Sequence, residues 1–561
     1  MSFFRAGREN KNCHKMLYKG NSRIHHVFSS FRSQPLKYFL ITSIVLITAI
    51  KLCLIGEGFF YFSDEFRYKY SLMAMYEFSR LHFGEAFSYL FSAVARPGMV
   101  IIKIIPSAFQ FITADIGGLH MYESDNSYPL FIFNFFIYCL ILILHYKFSE
   151  LLLKDRLAAL FSVLLFGTLT NSYVYLRHVF PCDESLLIIY LVLYKTVKLT
   201  TEGTLTLSKS FILGFFSFFG FSVYPGYFPL FFCCLAILFF NNMTKKTFIK
   251  KFFQSIIYAC GSILCLVLFE IMSRIGGSSY VISAFSITDK ITMGSFEESF
   301  SFIFKYLYTV EGLTGVFLIL GIAFFCFFMI FFIRIKQHKQ HALIGLLGVV
   351  ILGIFIVYAG AGYFFHKMVF YGRLLHQYVP FLCIFSVFAI NELLIKTRWR
   401  NTIILILSLA FILNFCVNIW QYKKVTYPRD VAWKLSKIYN LQNVDNVSEY
   451  KDIYSVVVPE LGNISFNSCT EPEHVSKTLI VTNCFIYRPF DDLTKYNKFQ
   501  PGDDYEMIFS APRSNNFKGY LFEGPDINQR KNAERINLQI KIFKKKLQTH
   551  YKSSMTNQNP Q

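Results

Sequence analysis

The chain has 561 residues, of which 54% are hydrophobic and 19% aromatic, with 67 Phe, a mean hydropathy of +0.41 and a formal net charge of +21. That is too apolar for a soluble protein of this size and places the chain among polytopic membrane proteins. The positive charge falls between apolar runs, where it sets membrane orientation; with no arginine-rich recognition element and no zinc-type Cys/His spacing, nucleic acid is not an expected partner.

Residues 1–37 carry Arg5, Arg8, Lys11, Lys15, Lys19, Arg23, Arg32 and Lys37 against Glu9. This stretch is too long and polar for a cleaved signal peptide, and no small-residue cleavage site follows the apolar run after it. We expect a basic, disordered cytoplasmic tail preceding a retained first span. Spans need about 20 apolar residues, and cytoplasmic loops favour Lys and Arg. On those rules residues 38–59 cross outward. Segment 98–114 is interrupted by Lys103 and Pro106 and is followed by acidic residues, so it is expected to lie along the outer membrane surface. Residues 128–147 return inward, 157–175 go out as one span, and 185–197 go back in. The short runs 210–223 and 227–241 flank Tyr224-Pro-Gly-Tyr-Phe-Pro229, and basic residues on both flanks favour a hairpin over one kinked helix. Residues 253–272, 313–333, 342–362, 379–395 and 402–420 complete the set. A loop of mixed polarity, 273–312, holds Arg274, Glu297, Glu298, Lys305 and Glu311.

The predicted fold class is therefore an all-α polytopic membrane protein of about eleven transmembrane helices over 38–420, with a small C-terminal α+β extramembrane domain over 421–548. Strand-like runs at 453–458 and 479–482 and a basic amphipathic segment at 527–547 mark that domain. Odd parity places it outside the cytoplasm, against the mild counter-signal of Lys423 and Lys424. Residues 549–561 read as a disordered tail. Cysteines within apolar runs (Cys53, Cys139, Cys233, Cys234, Cys260, Cys265, Cys326) read as small buried hydrophobes. Cys469 and Cys484 lie in the polar tail, and two cysteines alone are a weak disulfide signal.

Read with this topology, the conspicuous polar residues gather at one membrane face. Asp64 and Glu65 follow the first span, with Arg67 just beyond, in an outer loop 60–127 that also holds Arg96-Pro97-Gly98 and Lys103. Arg177, His178, Asp183 and Glu184 join the third and fourth spans. Tyr224 and Tyr227 tip the short hairpin, and His366, Lys367, Arg373 and His376 follow the ninth span. A one-faced cluster suits a substrate whose lipid tail lies in the bilayer and whose polar head lies at the surface. Asp64 or Glu65 could act as general base on an attacking hydroxyl. Cations such as Arg96, Lys103, Arg177, Arg373 or His376 could stabilise a departing phosphate. Blander readings stand beside these. The acid pair could be solvated at a helix start, and Arg96 and Lys103 could snorkel to headgroups. Arg177-His178 could pair locally with Asp183-Glu184. Arg373 and His376 could serve as interfacial anchors, and the Tyr224–Tyr227 tip could sit in the aromatic belt.

The acid pair after the first span, followed by Arg96-Pro97-Gly98 and Lys103 in a surface segment, resembles the GT-C superfamily of membrane glycosyltransferases. That group includes protein O-mannosyltransferases, lipid A aminoarabinose transferases and O-antigen glucosyltransferases. The likeness is topological over 38–420 and at the level of motifs over about 60–110. It implies an inverting transfer from a polyprenyl-phosphate-linked sugar donor to a glycan, lipid or protein acceptor, at the outer face of a bacterial inner membrane. By the same resemblance Asp64 is the base, supported by Glu65, with Arg67, Arg96, Lys103, Arg177, His178, Asp183, Tyr224, Arg373 and His376 around the substrate. No cofactor or metal ligand set is assigned, and a divalent ion stays open. The chain departs from some members in having Arg-Pro-Gly where others carry a Lys-Pro-Pro type stretch, and in lacking a Trp-Trp-Asp motif in the tail. An O-antigen polymerase or ligase, and a lipid-linked sugar flippase or transporter, are the rival readings. The flippase would need polar residues deep in spans, where Lys51 and Asn134 are among the few.

Overall fold

The structure is a computed structural model that describes residues 34–55, 68–92, 96–113, 128–177, 179–292, 299–335, 339–365, 372–394 and 397–423, and in the tail 443–446, 465–468, 478–482, 503, 505–510 and 540–546. In chain order the helices are α1 (Gln34–Leu54), α2 (Tyr68–Ser79), α3 (Phe83–Phe91), α4 (Pro97–Thr113), α5 (Tyr128–Leu153), α6 (Arg156–Thr168), α7 (Cys182–Glu202), α8 (Leu207–Val223) and α9 (Phe228–Phe240). They continue as α10 (Phe248–Ile275), α11 (Tyr280–Thr292), α12 (Ser299–Val310), α13 (Gly312–Ile335), α14 (Lys339–Phe365), the single turn α15 (Gly372–Leu375), α16 (Val379–Leu394) and α17 (Arg400–Lys423). Six of these, α1, α5, α10, α13, α14 and α17, are long and apolar enough to cross a membrane. The chain is an all-α multi-pass membrane protein over this region.

Burial separates two kinds of helix. In α1, α10, α13, α14 and α17 only 28–33% of the most apolar window is buried, and side chains such as Ile263, Phe327, Val357 and Leu413 project from the bundle. α6, α7 and α16 are enclosed, with Ala158–Thr168 buried almost throughout and Val379–Ala389 fully buried. With apolar lipid outside, burial of oily surface does not drive helix association, so close backbone approach and interhelical hydrogen bonds must. The α8–α10 crossing shows this. A Cβ on Gly214 would lie 1.9 Å from Tyr258 O, and one on Gly261 2.1 Å from Phe211 O. Ser262 Oγ donates to Gly214 O at 2.9 Å across the same contact.

Local sequence accounts for several boundaries. Asp155 Oδ1 accepts from Leu157 N and Ala158 N and starts α6. Gly203, with φ at 72°, ends α7 in the left-handed conformation open to glycine. α8 and α9 are separate helices joined by the turn Pro225–Tyr227. The segment expected as one span over 157–175 is not straight: the chain bends by 84° between Arg156–Thr168 and Thr170–Leu176. Leu169 is extended and two 3-10 turns follow, Thr170–Ser172 and Val174–Arg177. The polar, β-branched run Thr168-Leu-Thr-Asn-Ser172 is a weak helix former, and distant side chains hold it open as described below.

The predicted loop 273–312 contains α11 and α12. Burial of the span cysteines is true of Cys233, Cys234 and Cys265, whereas Cys53, Cys260 and Cys326 are exposed on outward faces. In the tail, β1 (Asn443–Asn446), β2 (Ser465–Ser468), β3 (Thr478–Thr482), β4 (Tyr505–Ser510) and β5 (Ile540–Lys545) form one mixed sheet in the order β2-β1-β3-β5-β4. Its β1 pairs are parallel and its β5 pairs antiparallel. The run 453–458, Cys469 and Cys484, residues 1–33 and residues 549–561 lie outside the described residues.

Candidate functional site

One end of the bundle gathers the polar residues, because helices arriving there meet helices leaving. The ends of α1, α6, α8 and α17 come together with the starts of α4, α5, α7, α9, α13 and α16. Three clusters result.

The first is cationic and aromatic. Arg96 precedes Pro97, the first residue of α4, and holds φ at 60°, a strained conformation for a residue with a side chain. Two residues on, a Cβ at Gly98 would fall 2.3 Å from Ser222 Oγ and 2.8 Å from Val223 N. Only glycine allows α4 to start against the end of α8. That contact brings the Arg96 guanidinium carbon within 5.6 Å of the Tyr224 ring centre. Arg373, in α15, reaches the same ring at 5.6 Å and Phe180 at 4.9 Å. Gln377 Nε2 donates to Gly226 O at 3.1 Å and fastens the α8–α9 corner to the segment after α15. Two guanidinium groups from distant parts of the chain thus share one aromatic ring, an arrangement suited to a phosphate or carboxylate.

The second cluster is acidic. Asp183 and Glu184 occupy the first turn of α7, where the helix dipole favours negative charge. Both are buried. Glu184 Oε1 pairs with Lys103 of α4, whose ammonium also donates to Asn134 Oδ1 of α5 at 2.9 Å. Asp183 Oδ1 meets His376 Nε2 at 2.9 Å. Among the described residues, Asp183 Oδ2 and Glu184 Oε2 have no hydrogen-bond partner.

The third cluster holds the α6 break. Lys51 of α1 donates to Gly167 O at 2.5 Å and to Tyr138 Oη, and lies 4.7 Å from the Tyr173 ring centre. It satisfies a carbonyl at the C-terminal end of α6, the end that favours a cation. On the other side of the break Glu311 accepts from Thr170 N at 2.7 Å and Asn171 N at 2.8 Å, while Tyr306 Oη donates to it at 3.3 Å. Burial pushes the Glu311 carboxyl up to about 7, with the Asn171 and Thr170 N–H groups opposing. The side chain of Asn171, placed by this break, contacts His376 Nδ1 at 2.9 Å.

The residues expected from sequence are distributed unevenly over these clusters. Arg96, Tyr224 and Arg373 meet in the first. Lys103 and Asp183 enter the second, and His376 links the second to the third. Asp64, Glu65, Arg67, His178, His366, Lys367, Glu297 and Glu298 lie outside the described residues, and Arg177 is described by its backbone alone. Among the described residues Asp183 pairs with His376, 193 residues away, and Glu184 with Lys103, 81 residues away; the expected local pairing with Arg177-His178 falls on side chains outside those described. Lys103 is fully buried and does not snorkel to the surface, and Tyr224 and Tyr227 are buried against the site, not exposed in a belt. His145, buried in α5 and bonded to Tyr190 and Ser162, adds a polar group deep in the bundle to those read from sequence. Sequence reasoning passed over Asn171 and Tyr306. The polar triplet Thr170-Asn171-Ser172 at the end of an apolar run was the available signal for the former. Away from these clusters, Glu77 of α2, His82 just before α3 and Glu85 of α3 set ligand atoms within 4.8 Å of one another, a group that could take a metal ion. No protein-family model matches this chain, and no curated protein matches it either.

Proposed function

We propose that the chain is an integral membrane glycosyltransferase of GT-C type, moving a sugar from a polyprenyl-phosphate donor to a glycan, lipid or protein acceptor. The observation that carries this reading is the convergence of Arg96 and Arg373 on Tyr224 at one end of an apolar bundle, beside the acidic first turn of α7. Paired guanidinium groups at a membrane face recognise a lipid-borne phosphate, and the neighbouring rings offer stacking surfaces to a sugar. In this reading eleven helices (α1, α5 to α10, α13, α14, α16 and α17) cross the membrane. The N-terminus is cytoplasmic, and the tail sheet belongs to an α+β domain outside a bacterial inner membrane.

In the mechanism, Asp64, supported by Glu65, takes the proton of the acceptor hydroxyl as its oxygen bonds to the anomeric carbon from the face opposite the phosphate. The bond between that carbon and the phosphate oxygen breaks, and its electron pair leaves with the phosphate, where Arg96 and Arg373 stabilise the added charge. Arg67, Arg177 and His178 are proposed as further substrate-binding residues. Lys103 is assigned to holding Glu184.

The test compares lipid-linked glycans and envelope polysaccharide by mass spectrometry in a deletion strain complemented with wild type, Asp64→Asn or Arg373→Ala at equal membrane abundance. Wild type should restore a single-sugar increment that neither variant restores. Full restoration by Asp64→Asn with a polymer-length defect in the deletion would support the polymerase or ligase instead. Carrier-linked sugar accumulating on the inner face would support a flippase.

A further inference from the structure

We propose that one proton is bound between His376 and Asp183, and that Asn171 is the positioning residue that puts it there. This inference stands on contact geometry and does not depend on the glycosyl-transfer reading. Asn171 Nδ2 lies 3.1 Å from Gly372 O and 2.9 Å from Tyr306 Oη. A backbone carbonyl can only accept, so the amide nitrogen must face Gly372; the flipped amide would set two acceptors against each other. Tyr306 in turn directs its hydroxyl hydrogen toward Glu311 Oε1, leaving its oxygen to accept from Asn171. With the amide so fixed, Asn171 Oδ1 faces His376 Nδ1 at 2.9 Å as an acceptor, and Nδ1 must carry hydrogen.

The consequence appears on the other ring nitrogen. A neutral imidazole with hydrogen on Nδ1 has a bare lone pair on Nε2. Nε2 lies 2.9 Å from Asp183 Oδ1, and both residues are buried, at 0% and 2% side-chain exposure. Two bare acceptors at that distance without water would repel, so a proton lies between them, as imidazolium with carboxylate or imidazole with carboxylic acid. Among the described residues the groups around the pair include Tyr175 with its ring centre 4.9 Å from that of His376, Tyr227 at 6.2 Å, Glu184 with Lys103 beside Asp183, and Cys182 and Tyr138, which interact electrostatically with Asp183. Lys51 of α1 interacts electrostatically with Asp183 and Glu311, and Arg373 lies three residues before the histidine. Asp183 Oδ2 is buried and has no hydrogen-bond partner among the described residues. The site is therefore a buried proton donor and acceptor, held by three residues from three separate stretches of chain.

The test is solid-state NMR of the full-length protein in lipid bilayers at neutral pH, with ring-15N histidine and carboxyl-13C aspartate. The signals are assigned by their loss in His376→Gln and Asp183→Asn. Wild type should show hydrogen on His376 Nδ1, together with either a protonated Nε2 or a protonated Asp183 carboxyl. In Asn171→Ala the ring should turn to the neutral form with hydrogen on Nε2, which donates directly to the Asp183 carboxylate. In Asp183→Asn the amide can donate to Nε2, so the ring should be neutral with hydrogen on Nδ1 alone. A bare Nδ1 in wild type overturns the proposal, as does an unchanged ring in Asn171→Ala. The wild-type spectrum decides by itself if a variant does not fold. A purely structural Asn171 would lower stability and leave the ring pattern as it was.

Discussion

Replacing Lys103 with Met tests whether that cation is committed to Glu184. The two side chains are 0% and 1% exposed. Lys103→Met leaves the Glu184 carboxylate in the bundle without its cation, and Oε2 has no partner among the described residues. Removing one member of a buried ion pair costs about 3–5 kcal/mol, because the charge left behind keeps its desolvation penalty. At about 1.4 kcal/mol per decade, that lowers the folded-to-unfolded ratio between about a hundredfold and several thousandfold. The double variant Lys103→Met, Glu184→Leu removes both charges, and such replacements are often neutral or stabilising, so it should recover most of the loss. The assay is unfolding of the purified protein in mixed micelles of increasing SDS content, followed by tryptophan fluorescence for wild type, both single variants and the double. A loss below about 1 kcal/mol in Lys103→Met, the range of a surface pair, would refute the pairing. So would a double variant no more stable than the single.

Three further outcomes are expected. Glu311→Ala removes the acceptor of two buried backbone N–H groups, each costing about 1–3 kcal/mol when orphaned, and micellar unfolding should register a loss in that range or above. The Glu311 carboxyl is raised by burial to about 7 from an ordinary 4.5. Its contribution to stability is therefore complete below pH about 4.5 and is lost as pH rises through about 7. Thermal unfolding between pH 5 and 8 (a window bracketing that value, roughly) should show a step in wild type that Glu311→Gln lacks, and a step of opposite sign would contradict the assignment. Gly98→Ala forces α4 away from the backbone of Ser222 and Val223; overpacking of this kind costs about 1–3 kcal/mol, and the variant should lose both membrane abundance and any activity that needs Arg96 beside Tyr224.

Much of the bundle is legible in the sequence because hydrophobicity and helix length act locally. The six helices long and apolar enough to cross a membrane can be found by length and composition alone, because a segment surrounded by lipid must be built almost wholly of apolar side chains. The caps at Asp155 and Gly203 are equally local. From the sequence, Arg96, Asp183, Tyr224, Arg373 and His376 are also expected at one end, because in an alternating set of spans every second loop would return to the same face.

Tertiary structure decided which of those charges meet. Lys103 and His376 look alike in sequence, as cations near a membrane face. One is spent on Glu184 and the other is set between Asp183 and Asn171. The polar run after Gly167 marks the α6 break only weakly, because the groups that hold it open are remote: the carboxylate that takes its free N–H groups lies 141 residues downstream in Glu311, and the cation at its other end comes from α1. An unpaired charge or backbone group inside the bundle is costly enough that each must find a partner, but the nearest partner in space need not be near in sequence.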